Sequence, residues 1–142
     1  MCGFAGFLEA PRNKDVAAWP DRLERMGKAI RHRGPDGAGV WIYGEHGIGL
    51  VHRRLAIIDL SPAGHQPMVS ASGRYVLAFN GEIYNHVAVR QELTYSKSAG
   101  VTWCGHSDTE TLLEAIAAWG LEQTLRKTVG MFALSLWDRE TR

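Results

Sequence analysis

A cysteine stands at position 2, directly behind the initiator methionine. Its side chain is small enough for that methionine to be trimmed, which makes the cysteine the amino terminus. One residue then holds both a nucleophile and a base. A free α-amine titrates at about 7.7 to 8.0 and a thiol at about 8.5, so near neutral pH the amine can take the thiol proton, directly or through a water. A methionine left in place removes that amine and the chemistry with it. Position alone leaves a second reading open, a core thiol with no chemistry. The other cysteine, Cys104, lies far along the chain, and neither belongs to a CxxC pair or an even cysteine framework, so no disulfide or zinc site is expected. The segment RHRGPDG at 31–37 is basic and glycine-rich, but it lacks the GxxxxGK spacing of a phosphate loop and follows no expected strand. The six histidines show no metal-ligand spacing on a common element and are expected to be structural. Asn80-Gly81 is, by itself, the commonest hairpin-turn pair.

The elements that must position these residues follow from periodicity. Residues 2–8, CGFAGFL, are apolar, small and aromatic, which predicts a strand buried on both faces that starts the chain in the core. Leu23, Met26 and Ile30 recur at helical spacing between Asp21 and Arg31, and the pattern stops before Gly34-Pro35, so a surface helix is expected there. Short apolar runs at 39–43, 48–52, 55–60 and 75–79, separated by Gly, Pro, Asn and Asp turns, predict consecutive strands. Ser107 stands three residues before Glu110, a capping-box spacing, and Leu112, Leu113 and Ile116 then line one face of a helix that Gly120 ends. Phe132, Leu134 and Leu136 alternate through 131–137 and predict a last strand. The five tryptophans are scattered and read as packing residues. These elements predict an α+β fold with two packed sheets, in one domain of 142 residues. The chain stops at Arg142 just after that apolar strand, which leaves the strand without an evident neighbour and makes truncation the expectation.

Composition narrows the function classes. A formal net charge of +1 gives no basic footprint for nucleic acid. The longest apolar run is a handful of residues and the opening residues lack the charged and apolar regions of a signal peptide, so no membrane association and a cytoplasmic location are expected. Sixteen glycines and five prolines suit short strands and tight turns better than a helical bundle.

Five blocks, in order, resemble the glutaminase domain of asparagine synthetases: MCGFAG at 1–6, RHRGPDG at 31–37, HRRLAIIDL at 52–60, FNGEIYNH at 79–86 and SDTE at 107–110. GMFALSLWD at 130–138 resembles that family's next core strand, so the resemblance spans the chain, and NGEIYNH is its most specific part. It implies an Ntn-hydrolase-like αββα sandwich, two antiparallel sheets flanked by helices, incomplete at its C-terminal end. It also implies a class II glutamine amidotransferase, in which Cys2 attacks the side-chain amide of L-glutamine and releases glutamate and ammonia.

The site roles are carried over from that resemblance, and each has a physical reason. The Asn80 side-chain NH₂ and the Gly81 backbone N–H would form an oxyanion hole, a device whose loss typically lowers rates about 10²- to 10³-fold. Gly81 also permits close backbone approach. Arg54 matches the arginine that clamps the α-carboxylate, a task for its planar fork. Strand alternation sends its neighbour Arg53 to the other face, without a role. Leu55 and Ile57 are carried over as further substrate-binding positions. Asp108 and Glu82 would receive the α-ammonium. Asp108 can also cap its helix beside Ser107, and for Glu82 a structural hydrogen bond is as open as direct contact. RHRGPDG shapes the pocket, and Cys104 matches no role.

The resemblance further implies a synthetase domain, in cis in a longer protein, that uses ATP and Mg²⁺ to adenylate aspartate and receives the ammonia. The chain contains no SGGxDS phosphate loop, so no cofactor is expected on these residues. A homodimer is a further expectation. Two alternatives stay open. One is a glutaminase domain serving another acceptor, such as phosphoribosylpyrophosphate or glucosamine 6-phosphate chemistry, which NGEIYNH and RHRGPDG resemble less. The other is a non-catalytic glutamine-binding fragment, against which Cys2, Arg54, Asn80, Gly81 and Asp108 stand together.

Overall fold

The computed structural model describes residues 2–10, 15–57, 59–96 and 101–141. Met1, Ile58 in the strand expected over 55–60, and the terminal Arg142 lie outside them. Six strands form two antiparallel sheets of three. In the first, β3 (Ile48–Arg54) lies between β1 (Gly3–Leu8) and β2 (Gly37–Tyr43), with Gly3 opposite Arg53 and Gly37 opposite Arg54. In the second, β5 (Tyr75–Ile83) lies between the short β4 (Met68–Val69) and β6 (Gly130–Asp138).

Four layers result. The helix α1 (Trp19–Ala29), opened by Pro20 in its first turn, buries Trp19, Leu23 and Gly27 against the first sheet. Gly27 is needed for that approach, since a Cβ there would lie 2.9 Å from Val51 Cγ2. The first sheet packs on β5 through β1 and β3. Helix α3 (Asp108–Trp119) covers the far side of the second sheet, where Leu112, Leu113 and Ile116 meet Leu77, Phe79 and Ile83. Phe132, Leu134 and Leu136 of β6 pack on the same cluster, as their alternation predicts. Each such buried side chain stabilises the fold by about 1.5 to 3 kcal/mol relative to exposure. Helices α2 (His86–Tyr95) and α4 (Leu121–Lys127) rest on α3, with Val89 and Leu93 packed on Ala115.

Several expectations are corrected. β1 is an edge strand with Leu8 68% exposed, so it is not buried on both faces. Its small residues serve close approach instead: a Cβ on Gly6 would lie 2.6 Å from Leu50 Cδ2. Among the described residues of 55–60 there is no strand, because the chain leaves the sheet after Arg54 and turns back. Polar groups hold that turn: Ala56 N–H donates to Asp36 Oδ2 at 2.9 Å, and the Arg54 guanidinium donates to the carbonyls of Asp59 and Ser61. The strand at 131–137 does have a neighbour, since β6 pairs with β5 from Tyr75↔Asp138 to Ile83↔Gly130. α2 and α4 were not anticipated. The capping box at α3 is half realised: Ser107 Oγ accepts from Glu110 N–H at 3.1 Å, while the Glu110 carboxylate accepts from Cys104 and Gly105 N–H at 2.6 and 3.0 Å. Among the described residues no helix is long and apolar enough to cross a membrane.

Candidate active site

A cleft opens where the end of β3, the middle of β5 and the start of α3 converge, and Cys2, Arg54, Leu55, Ile57, Gly81, Glu82 and Asp108 all line it. Cys2 is half-buried just before β1. Its Sγ accepts from Leu55 N–H at 3.2 Å and lies 3.5 Å from Leu55 O, so one backbone unit fixes the sulfur.

Arg54 is braced by its own loop. Nη1 donates to Ser61 O at 2.8 Å and Nη2 to Asp59 O, which leaves the rest of the fork for a ligand. Gly64 makes room for the guanidinium, since a Cβ there would lie 2.7 Å from Cζ. Asp59 ties the loop down, accepting from Ser61 N–H at 2.8 Å and from His106 N–H at 2.9 Å. Its carboxyl is held down to about 2, chiefly by the His106 N–H and the Ser61 side chain, with Arg54 a smaller contributor.

Two carboxylates line the same cleft as Arg54. Asp108 opens α3, 5% exposed, and accepts from Ile83 N–H at 3.0 Å and from Thr109 N–H at 2.9 Å. Burial pushes its pKa up against the pull of those N–H groups. Glu82 is exposed at the mouth. A cation and two carboxylates in one cleft suit an α-amino acid, whose α-carboxylate and α-ammonium carry the complementary charges.

The edge of β5 facing β4 carries the backbone donors. Successive residues of a strand turn their N–H groups to alternate edges. Phe79 N–H donates to Gln66 Oε1 at 2.7 Å and Ile83 N–H to Asp108 Oδ2 at 3.0 Å, so Gly81 N–H, midway between, lies on the same edge. Gly81 has φ 153°, and a Cβ there would lie 2.5 Å from Phe132 Cα, so only glycine fits. Asn80 is the one expected site residue that does not line the cleft, and its Oδ1 is buried without a partner. Arg53 does not line it either, and its Nε is buried without a partner.

Sequence reasoning missed Asp59, Gly64, Gln66, Thr109, Tyr84 and Met131, which also line the cleft. Asp59 belongs to the block HRRLAIIDL and carried a signal; Gln66 is a lone glutamine in a loop and carried none. Among the described residues no group of three or more His, Cys, Asp or Glu is arranged to hold a metal ion.

The chain matches the model of the glutamine amidotransferase domain over residues 1–142, and it belongs to that family. A Mycobacterium tuberculosis protein assigned as a glutamine-hydrolysing asparagine synthetase is 40% identical over 153 residues, covering 100% of this chain and 23% of that protein. Asparagine synthetase 1 of Bacillus subtilis, glutamine-hydrolysing by name, is 37% identical over 139 residues, covering 98% of this chain and 21% of its own. The chain thus spans under a third of the length of the curated relatives it matches. Among solved structures, the glutamine phosphoribosylpyrophosphate amidotransferase of B. subtilis, complexed with ADP and GMP, superimposes with a TM-score of 0.66 at 20% identity. That match covers 96% of this chain and 34% of the other, and it is a likeness of fold.

Proposed function

We propose that this domain hydrolyses the side-chain amide of L-glutamine. The observation that carries the reading is one cleft holding the Cys2 sulfur, the Gly81 edge of β5, the Arg54 fork and the Asp108 and Glu82 carboxylates. With Met1 removed, the α-amine of Cys2 takes the thiol proton and the sulfur adds to the amide carbon. The carbonyl oxygen becomes an oxyanion facing Gly81 N–H and the Asn80 amide. The C–N bond then breaks, the α-ammonium returns the proton to the leaving nitrogen, and ammonia departs. Water adds to the γ-glutamyl thioester and the C–S bond breaks, giving glutamate and the free thiol. Arg54 holds the α-carboxylate, Asp108 and Glu82 receive the α-ammonium, and Leu55 and Ile57 flank the bound amino acid. The names of the relatives support a synthetase domain in cis as the acceptor, where ATP and Mg²⁺ would activate aspartate for amidation.

A diazo-ketone analogue of glutamine tests the assignment. Peptide mass spectrometry should find it on Cys2, with the mature chain beginning at that residue and Cys104 unmodified. Modification mainly at Cys104 sinks the site.

Arg54→Ala should raise KM for glutamine roughly 10- to 100-fold with kcat changed by a few-fold at most, because the carboxylate clamp is the same in ground and transition states. Steady-state glutamate release measures it. A loss confined to kcat would place the carboxylate elsewhere.

A further inference from the structure

The side chains of Gln66 and His52 form a surrogate for a strand. The ladder between β4 and β5 pairs Met68 with Leu77 and Val69 with Val76. One step further along the same register, Pro67 would face Ala78 and Gln66 would face Phe79. The ladder nevertheless ends at Met68, short of both pairs. Phe79 is left with an N–H and a C=O on an edge without a strand, two residues before Gly81. Gln66 Oε1 accepts from that N–H at 2.7 Å, and His52 Nε2 lies 3.0 Å from that carbonyl. Both side chains are buried, Gln66 at 5% exposure and His52 at 0%. Gln66 is anchored in turn, its Nε2 donating to Thr109 Oγ1 at 3.3 Å in the first turn of α3. His52 belongs to β3, so its contact ties β5 to the first sheet.

The histidine acts as a neutral donor. A carbonyl accepts only from a protonated nitrogen, so Nε2 carries the hydrogen, and Nδ1 is buried without a partner. Burial, first of all, keeps the ring neutral, pushing it down to about 4.

We propose that Gln66 and His52 are positioning residues that fix the height of the Gly81 N–H relative to the Cys2 sulfur, by holding the Phe79 peptide groups that no strand holds. The inference rests on the glutamine-hydrolysis reading. On the far side of Gly81 the same work is done by Asp108 at Ile83 N–H, so the oxyanion donor lies between two side-chain brackets, both linked to the first turn of α3. Neither Gln66 nor His52 is assigned contact with the ligand's charged ends, so loosening them should disturb the transition state and spare substrate binding.

The test compares wild type, Gln66→Met, His52→Leu and His52→Gln, with rates expressed per Cys2 titrated by the diazo ketone so that unfolded protein does not enter. The side-chain aldehyde of glutamate, which forms a tetrahedral adduct on the sulfur, serves as the transition-state probe. Gln66→Met and His52→Leu should lower kcat roughly tenfold, less than deleting an oxyanion donor outright. The aldehyde should inhibit both more weakly by the same factor, with KM for glutamine within about twofold of wild type. His52→Gln, whose amide nitrogen can reach the Phe79 carbonyl as Nε2 does, should recover most of the rate. Unchanged kcat in both disruptive variants, or a loss carried by KM with aldehyde inhibition intact, overturns the positioning role. A wild-type chain that releases no glutamate while its Cys2 is exposed and unblocked would instead overturn the underlying function, which separates the two failures.

Discussion

Cys2→Ala should abolish glutamine hydrolysis, lowering glutamate release more than about 10⁴-fold, since loss of the nucleophile removes the covalent route altogether. The melting temperature should change little. The sulfur is only half-buried, and its polar contacts run to a single backbone unit, Leu55 N–H at 3.2 Å and Leu55 O at 3.5 Å. Replacing it leaves Leu55 N–H at the edge of an open cleft where water can replace the sulfur. Cys2→Ser keeps a hydrogen-bonding side chain and should be equally silent, because a hydroxyl of far higher pKa surrenders its proton poorly to an α-amine. A protein retaining Met1 should match both variants in activity while keeping its thiol. The check is a coupled glutamate assay alongside thermal melting. Full turnover from Cys2→Ala, or from chain that mass spectrometry shows to begin at Met1, refutes the one-residue nucleophile and base.

The parts of the fold that were legible in the sequence are those where local pattern and tertiary environment agree. Phe132, Leu134 and Leu136 alternate because β6 has one face on α3 and the core cluster. Ser107 and Gly120 bound α3 because its end groups need satisfying whatever it packs on. The run Leu55–Leu60 failed for the opposite reason. Its apolar residues satisfy a strand pattern, but Arg54 captures the Asp59 carbonyl and Asp36 the Ala56 N–H from outside the segment, and Ile57 ends 71% exposed at the cleft. Leu55, Ala56 and Ile57 line the cleft instead of a sheet. α2 carries only a weak local signal, Val89 and Leu93 four residues apart on the face that packs on Ala115.

The site divides in the same way. Cys2, Arg54, Gly81 and Asp108 belong to recognisable blocks, and the fold brings all four to one cleft. Gln66 and His52 were not recognisable as site residues. What they do is set by the register at which β4 ends, and that register is a long-range property: Gln66 meets Phe79 13 positions on and Thr109 43 positions on. A lone glutamine before a proline gives no local sign of such a partnership.

Asn80→Ala should lower kcat about 10²- to 10³-fold with KM for glutamine close to wild type, because an oxyanion donor acts on a charge that exists only after attack. The structure sharpens the forecast. Alternation along β5 puts Asn80 on the face shared with Val76 and Ala78, opposite the face of Leu77, Phe79 and Ile83 that packs on α3. That face turns toward the first sheet, whose β1 begins directly after Cys2. Its Oδ1 is buried without a partner, so truncation removes an unsatisfied acceptor and should not destabilise the fold through a lost bond. Rate and stability are therefore expected to separate: a large fall in kcat, a melting temperature near wild type, and weaker inhibition by the glutamate side-chain aldehyde in proportion to kcat. Asn80→Asp should be at least as slow, since a carboxylate in place of the amide would repel the oxyanion. If Asn80→Ala instead keeps kcat within a few-fold, the amide is packing between the sheets, and the Gly81 N–H, bracketed by Gln66 and Asp108, carries the developing charge without it.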